Sequence, residues 1–315
     1  MTRVLVTGAW GYIGGRTIEA FAGNRSLAVT AASRQMRRVP PGVAAKTVDW
    51  SDASALMALC RDQDAIIHLA AMNEGECARD ADGAKRVNSE YTKLLLQAAT
   101  AAGVRRFIVV STAKVFGDNP TGALDELTSP HPASAYAITH HLAEKCVLEA
   151  QAANTIEGIV LRLSNAVGAP ADPHLDAWML IANDLCRQVA VTGRIMLKSS
   201  GLAWRNFIAM SDVVAALRHV LVMPRPALDN GLFHLGGPQS ARIRDLATRV
   251  AGRARAIFGR DPEMHFAESV PGESCSALDW RVAKLKATGW KPANDLDSEI
   301  DATLTLCRTA FTSVS

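Results

Sequence analysis

Several features that indicate a membrane, secreted or nucleic-acid-binding protein are absent from this sequence. No uninterrupted apolar stretch approaches the ~18 residues that suggest a membrane span. An extended apolar pattern begins by residue 3 or 4, which leaves no room for a signal peptide. The 34 lysines and arginines are dispersed among 31 aspartates and glutamates, without the long basic run typical of nucleic-acid or membrane partners. We therefore expect a soluble, cytoplasmic protein.

Cysteine patterns that bind metals are absent as well. The six cysteines form no C-x-x-C pair, and no histidine lies at metal-ligand spacing from them. Such isolated cysteines are typical of reduced, partly buried thiols, so we expect neither disulfides nor a metal site.

A glycine-rich turn follows the first strand pattern, Val4–Thr7. Three glycines at three-residue intervals then precede a predicted helix, Thr17–Ala22. Gly8 permits a sharp turn, Gly11 lets a pyrophosphate approach the main chain, and Gly14 lets the helix pack close to the strand. This context favours a dinucleotide site over a plain tight turn, with the phosphates on N–H groups at the helix N-terminus. The expected cofactor contacts here are Gly8, Gly11, Tyr12, Ile13 and Gly14.

The residues after the second predicted strand, Leu27–Ala32, bear on which cofactor binds. An acidic residue is expected there if the adenosine ribose has a free 2′-hydroxyl, and none is present. Ser33 and Arg34 occur instead, with Arg37 and Arg38 nearby, and a hydroxyl beside a guanidinium suits a 2′-phosphate. The pattern favours NADP(H) over NAD(H), although the same arginines would also suit a solvated loop face.

Two further segments are predicted to reach the cofactor. Val48–Trp50 could close the third strand, with Asp49 at the adenine amino group and Trp50 beside it; equally, Asp49 could cap the predicted helix Ala53–Cys60. The fourth strand, Ala65–Ala71, ends in small residues that let the main chain approach the cofactor, and its His68 is expected to be structural. The expected contacts there are Leu69, Ala70 and Ala71.

The rest of the chain continues the alternation of strands and helices. Its length of 315 residues, 49% of them hydrophobic, favours a nucleotide domain with an added lobe. We expect a Rossmann-type, doubly wound parallel α/β sheet from residues 1–165 and 203–236, and a smaller C-terminal α+β substrate lobe from residues 166–202 and 237–315. Further strands are predicted at Val104–Val110, Gly158–Leu163, Trp204–Ile208 and Gly231–Leu235, and helices at Ala84–Ala102, Ala133–Ala153, Ala177–Val189, Ser211–Val222, Ile243–Gly252 and Asp297–Cys307.

These motifs together resemble a known family. The glycine turn, the strand end His68–Ala71, the Ser-Thr-x-x-Val-Phe-Gly segment Ser111–Gly117 and the helix with Tyr136 follow one another as in the extended short-chain dehydrogenase/reductase superfamily. The sequence is most similar to its NAD-dependent epimerase/dehydratase branch, which modifies nucleotide sugars. The resemblance extends over almost the whole chain through Leu161–Asn165, Arg205–Ile208, Leu235–Gly237 and Gly289–Pro292.

The resemblance implies a catalytic set at Thr112 and Tyr136. In the family, a Ser or Thr at this position orients the substrate oxygen, Tyr acts as acid and base, and a Lys four residues later binds the nicotinamide ribose and lowers the Tyr pKa. Here residue 140 is His, which lies on the same helix face as Tyr136 and can still donate a hydrogen bond to a ribose hydroxyl, but is mostly neutral at pH 7. His140 is therefore the expected third member of the catalytic set, and Tyr136 and His140 are also expected cofactor contacts. We expect His140 to stabilise a phenolate less well, unless Lys114 supplies the charge. Its neighbour His141 is expected at the surface or an interface.

The resemblance also narrows the reaction and the substrate. Sugar 4,6-dehydratases of the family carry an Asp-Glu pair after the active-site Thr, whereas this chain has Ala113 and Lys114, which argues against dehydration. Arg205 and Asn165 lie where the family contacts a nucleotide diphosphate. An additional family arginine is replaced here by Val270. The alternative for Arg205 is a structural ion pair with Asp212. The expected substrate contacts are Lys114, Asn165 and Arg205.

Three alternative hypotheses for the function are compatible with this sequence. The first is an NADPH-dependent ketoreductase acting on a nucleotide-linked sugar, which the Ser33–Arg34 pair favours. The second is a nucleotide-sugar epimerase with a retained cofactor, and the third is a weakly catalytic or non-catalytic NADP(H)-binding sensor. The family usually dimerises through the helices predicted here at Ala84–Ala102 and Ala133–Ala153, so we expect a homodimer.

Overall fold

A seven-stranded parallel sheet forms the centre of the molecule. The computed structural model describes residues 1–269 and 276–311. Within these ranges the strands are β1 (Thr2–Thr7), β2 (Leu27–Ser33), β3 (Ala44–Thr47), β4 (Ala65–His68), β5 (Arg106–Thr112), β6 (Gly122–Leu124), β7 (Glu157–Leu163), β8 (Asn165–Val167), β9 (Arg194–Leu197), β10 (Trp204–Ala209), β11 (Leu232–Leu235), β12 (Ser240–Arg242), β13 (Glu263–Phe266) and β14 (Leu278–Trp280).

The helices lie between these strands, as the alternating pattern predicts. In the same ranges they are α1 (Tyr12–Ala22), α2 (Ala53–Cys60), α3 (Glu74–Arg79), α4 (Ala81–Ala84), α5 (Tyr91–Ala101), α6 (Ala135–Ala152), α7 (Ile181–Thr192), α8 (Met210–Val222), α9 (Ile243–Phe258), α10 (Ala283–Ala287) and α11 (Leu296–Phe311). A π-helix at Lys85–Glu90 joins α4 to α5, and short 3₁₀ turns occupy Ala113–Phe116 and Arg225–Leu228.

The order of the strands is that of a doubly wound Rossmann sheet. It runs β11-β7-β5-β4-β1-β2-β3 with parallel pairing throughout. Alternate strand residues enter two apolar cores because successive side chains point to opposite faces. Val4 and Val6 pack with α1 and α8 on one face, whereas Leu5 and Ile66 pack with α2, α5 and α6 on the other. The fold predicted from the sequence is confirmed.

A third core joins the C-terminal elements. Helices α7, α9 and α11 pack together around Leu185, Val250 and Leu304, with Ile195 of β9 and Phe207 of β10. The small sheets β12-β10-β8 and β13-β9 border this core. The division of the chain into a dinucleotide domain and a substrate lobe remains a prediction.

The observed bounds of two elements near the carboxyl edge of the sheet differ from the predicted ones. The predicted helix Ala84–Ala102 contains the π-helix at Lys85–Glu90, and β4 ends at His68, three residues earlier than predicted. His68 is buried and structural in character: its two ring nitrogens contact Thr7 Oγ1 at 2.7 Å and Thr92 Oγ1 at 3.0 Å. Across residues 1–269 and 276–311, no helix has both the length and the apolar character to cross a membrane.

Candidate active site

A cavity of about 250 Å³ opens at the carboxyl edge of the central sheet. This is the edge at which doubly wound folds bind ligands. The end of β5, the start of α6, the segment after β7 and strand β10 all contribute to its wall. The polar side chains in the wall that can bind a ligand or take part in catalysis include Thr112, Lys114, Tyr136, Ser164, Asn165 and Arg205.

The glycine turn forms a cradle for a dinucleotide. Gly8 has a φ of +62°, and a Cβ there would lie 2.6 Å from the Ala70 nitrogen. A Cβ on Gly14 would lie 2.1 Å from the Gly8 carbonyl oxygen. Among the described residues no side chain caps the first turn of α1, so the N–H groups of Tyr12 and Ile13 are free to face a phosphate. The residues present therefore fit a pyrophosphate group.

Ser33 and Arg34 follow the carboxyl end of β2, at the same edge of the sheet as the glycine turn. The carbonyl oxygen of Ser33 accepts a hydrogen bond from the Val48 nitrogen at 3.1 Å, which ties the two strand ends together. The Arg34 side chain is exposed. This placement is compatible with both interpretations of the sequence, a 2′-phosphate contact and a solvated loop face.

Asp49 and Trp50 differ in part from their predicted positions. Both follow β3, which ends at Thr47, so they do not belong to the strand. The Asp49 carboxylate accepts hydrogen bonds from the Ser51 nitrogen and hydroxyl, while Asp52 caps α2; the capping role considered for Asp49 is therefore wrong. The Trp50 ring is only 6% exposed and packs in the core, so the expectation of its ring beside the adenine is not supported.

Thr112 and Tyr136 meet at the base of the cavity. Thr112 is the last residue of β5, and Tyr136 lies in the first turn of α6, whose N-terminus is capped by the Ser134 hydroxyl. Burial raises the pKa of Tyr136 to about 12, and a hydrogen bond with the Thr112 side chain opposes part of that rise. The Glu74 carboxylate raises the pKa further. The phenol therefore stays protonated at neutral pH.

His140 lies one helical turn after Tyr136 and is buried. Burial lowers the pKa of His140 to about 4, so that its ring is neutral at pH 7. Its Nε2 atom has no hydrogen-bond partner in the part of the chain that the structure describes. Lys114 does not supply the missing charge to Tyr136, because its ammonium group pairs with Glu74 and lies 3.8 Å from Asp118.

His141, next along the helix, faces a buried ion pair. Its Nδ1 atom lies 3.1 Å from Glu144 Oε2, and the same carboxylate receives two hydrogen bonds from Arg162 of β7. His141 retains 20% side-chain exposure. This arrangement fastens α6, and with it Tyr136, onto the sheet.

Asn88 is a residue of this region that motif reasoning missed. It is buried in the π-helix, where its Oδ1 accepts a hydrogen bond from the Met72 nitrogen at 2.7 Å and its Nδ2 donates to Thr139 Oγ1 at 3.2 Å. It thus ties the segment after β4 to the helix turn that carries Tyr136 and His140. The one signal in the sequence is an asparagine inside a predicted α-helix. The structure has a π-helix at this position, and π-helices often occur at functional sites.

Glu74 was missed as well. It begins the short helix α3, where Asn73 and Glu76 form a reciprocal capping box, and it lines the cavity opposite Lys114. The sequence gives no periodic signal in this connection, so nothing pointed to a carboxylate in the cavity.

Arg205 and Asn165, the predicted diphosphate contacts, both line the cavity. The Arg205 guanidinium donates to Asn119 Oδ1 and to the Trp204 carbonyl oxygen, each at 2.8 Å. The alternative pairing with Asp212 is wrong, because that carboxylate accepts the backbone N–H groups of residues 293 and 294. Asn165 Nδ2 donates to the Asn206 carbonyl oxygen. Val270, noted above, lies outside the described residues.

Comparison with known proteins agrees with this architecture. The model of the NAD dependent epimerase/dehydratase family matches residues 4–236. A UDP-glucose 4-epimerase of Rhizobium leguminosarum bv. trifolii is 31% identical and covers 94% of this chain and 94% of its own length. A dTDP-glucose 4,6-dehydratase of Streptomyces griseus is 26% identical, with coverage of 96% and 93%.

A solved structure is similar over nearly the same extent. The UDP-glucose 4-epimerase of Thermus thermophilus in complex with NAD superimposes with a TM-score of 0.81 at 26% identity, covering 98% of this chain and 100% of that chain. The family match spans most of the residues that build the sheet and the cavity. The chain therefore belongs to the NAD dependent epimerase/dehydratase family of enzymes.

Proposed function

We propose that this enzyme reduces a ketone on a nucleotide-linked sugar with NADPH. One observation carries the proposal: a neutral imidazole, that of His140, and not a cation packs against the phenol of Tyr136, with the ring centroids 4.4 Å apart. Burial raises the pKa of Tyr136 to about 12, and the neutral His140 beside it offers no charge to stabilise a phenolate. Reduction of a ketone needs a proton donor at the carbonyl oxygen, whereas oxidation of a hydroxyl needs a base. A protonated phenol therefore favours reduction.

The catalytic step assigns a separate task to each residue. The glycine turn from Gly8 to Gly14 would hold the pyrophosphate of the cofactor, and the bound cofactor would supply the hydride for the carbonyl carbon. The Thr112 hydroxyl orients the carbonyl oxygen by a hydrogen bond. Tyr136 transfers its phenolic proton to that oxygen, so that the ketone becomes an alcohol, and solvent returns a proton to the phenolate. His140 packs against the phenol ring and keeps it in place.

The charge of Arg205 supports a diphosphate in the cavity. Its guanidinium is bonded to an amide oxygen and a carbonyl oxygen, and no carboxylate in residues 1–269 or 276–311 forms an ion pair with it. Asp118 and Glu74 act on this guanidinium only through space, and a partly buried cation that no carboxylate contacts directly attracts an anionic ligand. We place the diphosphate at Arg205, with Asn165 and the free Ser164 hydroxyl nearby in the same wall.

NADP(H) is the cofactor that the residues after β2 favour. Ser33 and Arg34 stand at the edge of the sheet where the adenosine ribose lies in doubly wound folds, and the Arg34 side chain is exposed and available to a phosphate. The Thermus thermophilus relative is in complex with NAD. A direct comparison of the two cofactors is therefore part of the test.

A second candidate is a nucleotide-sugar 4-epimerase. The 31% identical relative from Rhizobium leguminosarum favours it, since that protein is a UDP-glucose 4-epimerase. An epimerase must first oxidise a hydroxyl, which requires Tyr136 to accept a proton. The high pKa of Tyr136 is the observation against it.

A homodimer through α6 completes the proposal. Ile138 and Leu142 are large apolar side chains four residues apart on one face of α6, and they are 43% and 37% exposed. Apolar side chains at this spacing suit a helix–helix contact between two copies. Sedimentation of the purified protein tests this, with Ile138→Glu expected to give monomers.

The reaction is tested with two assays on the same preparation. Purified protein is mixed with NADPH or NADH and a nucleoside diphosphate 4-keto-hexose, and nicotinamide oxidation is followed. In parallel, UDP-glucose is incubated without reduced cofactor and its C4 epimer is sought by NMR. Stoichiometric oxidation of NADPH with formation of the alcohol is the expected result. Formation of UDP-galactose without net cofactor consumption would establish the epimerase instead.

A further inference from the structure

A cluster of three charged side chains lines the cavity beside the catalytic pair. The Lys114 ammonium group hydrogen bonds to Glu74 and lies 3.8 Å from Asp118. All three line the same cavity as Thr112 and Tyr136. The Glu74–Lys114–Asp118 cluster carries two carboxylates and one ammonium group, so its formal charge is negative.

The cluster lies at the end of the cavity where the sugar reacts. The backbone nitrogen of Lys114 donates to the Thr112 hydroxyl at 3.1 Å, so the lysine directly follows the residue that orients the substrate oxygen. The Glu74 charge also acts on the phenol of Tyr136, whose pKa it raises. A group on the sugar ring next to the reacting carbon would therefore lie near Glu74.

No cationic side chain in the described part of the cavity wall is available to bind the carboxylate of an acidic sugar. The lysine and arginine side chains in the described part of the cavity wall are those of Lys114 and Arg205. Lys114 is already matched by two carboxylates, and Arg205 is the group that the diphosphate requires. A carboxylate on the sugar would meet the field of Glu74 and Asp118, whose side chains are 51% and 63% exposed. Two like charges about 4 Å apart repel by about 1 kcal/mol even at the dielectric constant of water, which exceeds thermal energy.

We propose that Glu74 selects an uncharged sugar and excludes a sugar with a carboxylate at C6. The inference rests on the proposed nucleotide-sugar substrate and makes its class narrower: a neutral hexose rather than a hexuronic acid. Glu74 acts as a specificity-determining residue, and its carboxylate accepts hydrogen bonds from sugar hydroxyl groups.

The test compares two ligands that differ only at C6. A panel of nucleoside diphosphate glucoses is first titrated by calorimetry with the dinucleotide present, to find the preferred base. Glucose and glucuronate carrying that base are then compared, because the nucleotide contribution at Arg205 cancels in their ratio. We expect the glucose form to bind at least about tenfold more tightly. Glu74→Gln should reduce this ratio about tenfold, because it keeps the shape and removes the charge.

Glu19→Gln is the matched control. Glu19 is exposed on α1 and does not line the cavity, so its variant removes one negative charge elsewhere and should leave the ratio unchanged. Equal or tighter binding of the glucuronate form by the unaltered protein, with Lys114 released from Glu74 to hold it, would overturn the inference. So would an unchanged ratio in Glu74→Gln. If no nucleotide sugar of the panel binds while the dinucleotide does, the proposed function itself fails, and the inference fails with it.

Discussion

The imidazole of His140 lies edge to face against the phenol ring of Tyr136, with the ring centroids 4.4 Å apart. The two residues are one turn apart on α6, and the helix fixes their contact. Since burial lowers the pKa of His140 to about 4, the contact brings no positive charge to the phenol. At neutral pH the phenol of Tyr136 is therefore present in its protonated form, the form from which ketone reduction begins, and the phenolate that alcohol oxidation requires is scarce.

Removal of the phenolic hydroxyl tests Tyr136 as the proton donor. We expect Tyr136→Phe to lower kcat for ketone reduction by about 100-fold to 10,000-fold, the usual contribution of general acid catalysis. Affinity for NADPH should change little, because the glycine turn carries that binding. Tyr91→Phe, at a partly buried position away from the cavity wall, is the matched control. Wild-type turnover by Tyr136→Phe would show that another group donates the proton.

Introduction of a cation beside Tyr136 should change the pH dependence. Reduction requires the protonated phenol, so activity is lost as pH rises through the Tyr136 pKa, which is about 12 in the unaltered protein. In His140→Lys the ammonium group stabilises the phenolate, the pKa falls, and the alkaline limb of kcat/KM moves to lower pH. Oxidation of the alcohol product should become faster at neutral pH.

The neighbouring residue provides the control for that variant. His141→Lys places the same cation against Glu144 instead of Tyr136, and it should leave the alkaline limb in place. A large loss of activity in His140→Lys without a shift of the limb would mean that the imidazole has a catalytic task of its own.

Cofactor preference depends on Arg34 in this interpretation. Arg34→Ala should weaken NADPH binding about tenfold or more, since a charge-assisted phosphate contact contributes about 1.5 to 3 kcal/mol, and should leave NADH binding nearly unchanged. Arg25→Ala is the matched control, because it removes an exposed arginine near the opposite end of β2 and should leave the affinity for both cofactors unchanged. Titration of both cofactors by fluorescence measures the ratio. Equal affinities in the unaltered protein would contradict the preference.

The close contact inside the glycine turn makes Gly14 intolerant of a side chain. Because its Cβ would lie 2.1 Å from a main-chain oxygen, Gly14→Ala should lower the free energy of unfolding by about 3 kcal/mol or more and weaken dinucleotide binding. Gly252→Ala in α9 has no atom within 4 Å of the new Cβ and should raise that free energy by about 0.5 to 1 kcal/mol. Urea unfolding of both variants gives the comparison.

Acid should destabilise the fold through three buried histidines. The pKa is about 4 for His68 and for His140 and about 3 for His234, all lowered mainly by burial, against about 6.5 in an unfolded chain. The unfolded state therefore binds more protons below pH 6.5, and stability falls as pH drops from there toward 4. Each histidine contributes a slope of about 1.4 kcal/mol per pH unit in that window.

Unfolding at pH 7 and at pH 5 measures this slope. His140→Gln should reduce the loss between the two values, whereas His174→Gln, at an exposed position, should not. Equal stability at both pH values would mean that these rings take up protons in the folded protein as readily as in the unfolded chain.

Repeating patterns made most of the fold predictable. The glycine spacing and the β-branched strands identify the doubly wound sheet, and the helix turn from Tyr136 to residue 140 follows from helical geometry. The meeting of Thr112 with Tyr136 could be anticipated because a strand end and a helix start face the same edge of the sheet. These features depend on local geometry that the sequence encodes directly.

Side chains in connections were less predictable. Trp50 was expected beside the adenine, yet the turn after β3 directs it into the core. Glu74 reaches the cavity through a short helix whose direction depends on its capping residues and on Lys114, far away in the chain. Asn88 lies in a π-helix within a predicted α-helix, and its amide is bonded to Met72 and Thr139, both distant in the sequence. Contacts of this kind depend on tertiary structure, which periodicity does not report.

The buried guanidinium of Arg106 has a consequence for the order in which the chain can complete its fold during synthesis. Its donors reach Glu157 of β7 and, at 2.7 to 2.9 Å, the carbonyl oxygens of Val220, Leu221 and Met223 at the end of α8. A nascent chain that has not yet reached Met223 lacks both these acceptors and the helix end that packs over the Arg106 guanidinium, so the native burial and bonding of this group form only afterwards. The central sheet around Arg106 should therefore reach its native packing on the ribosome only after α8 has emerged.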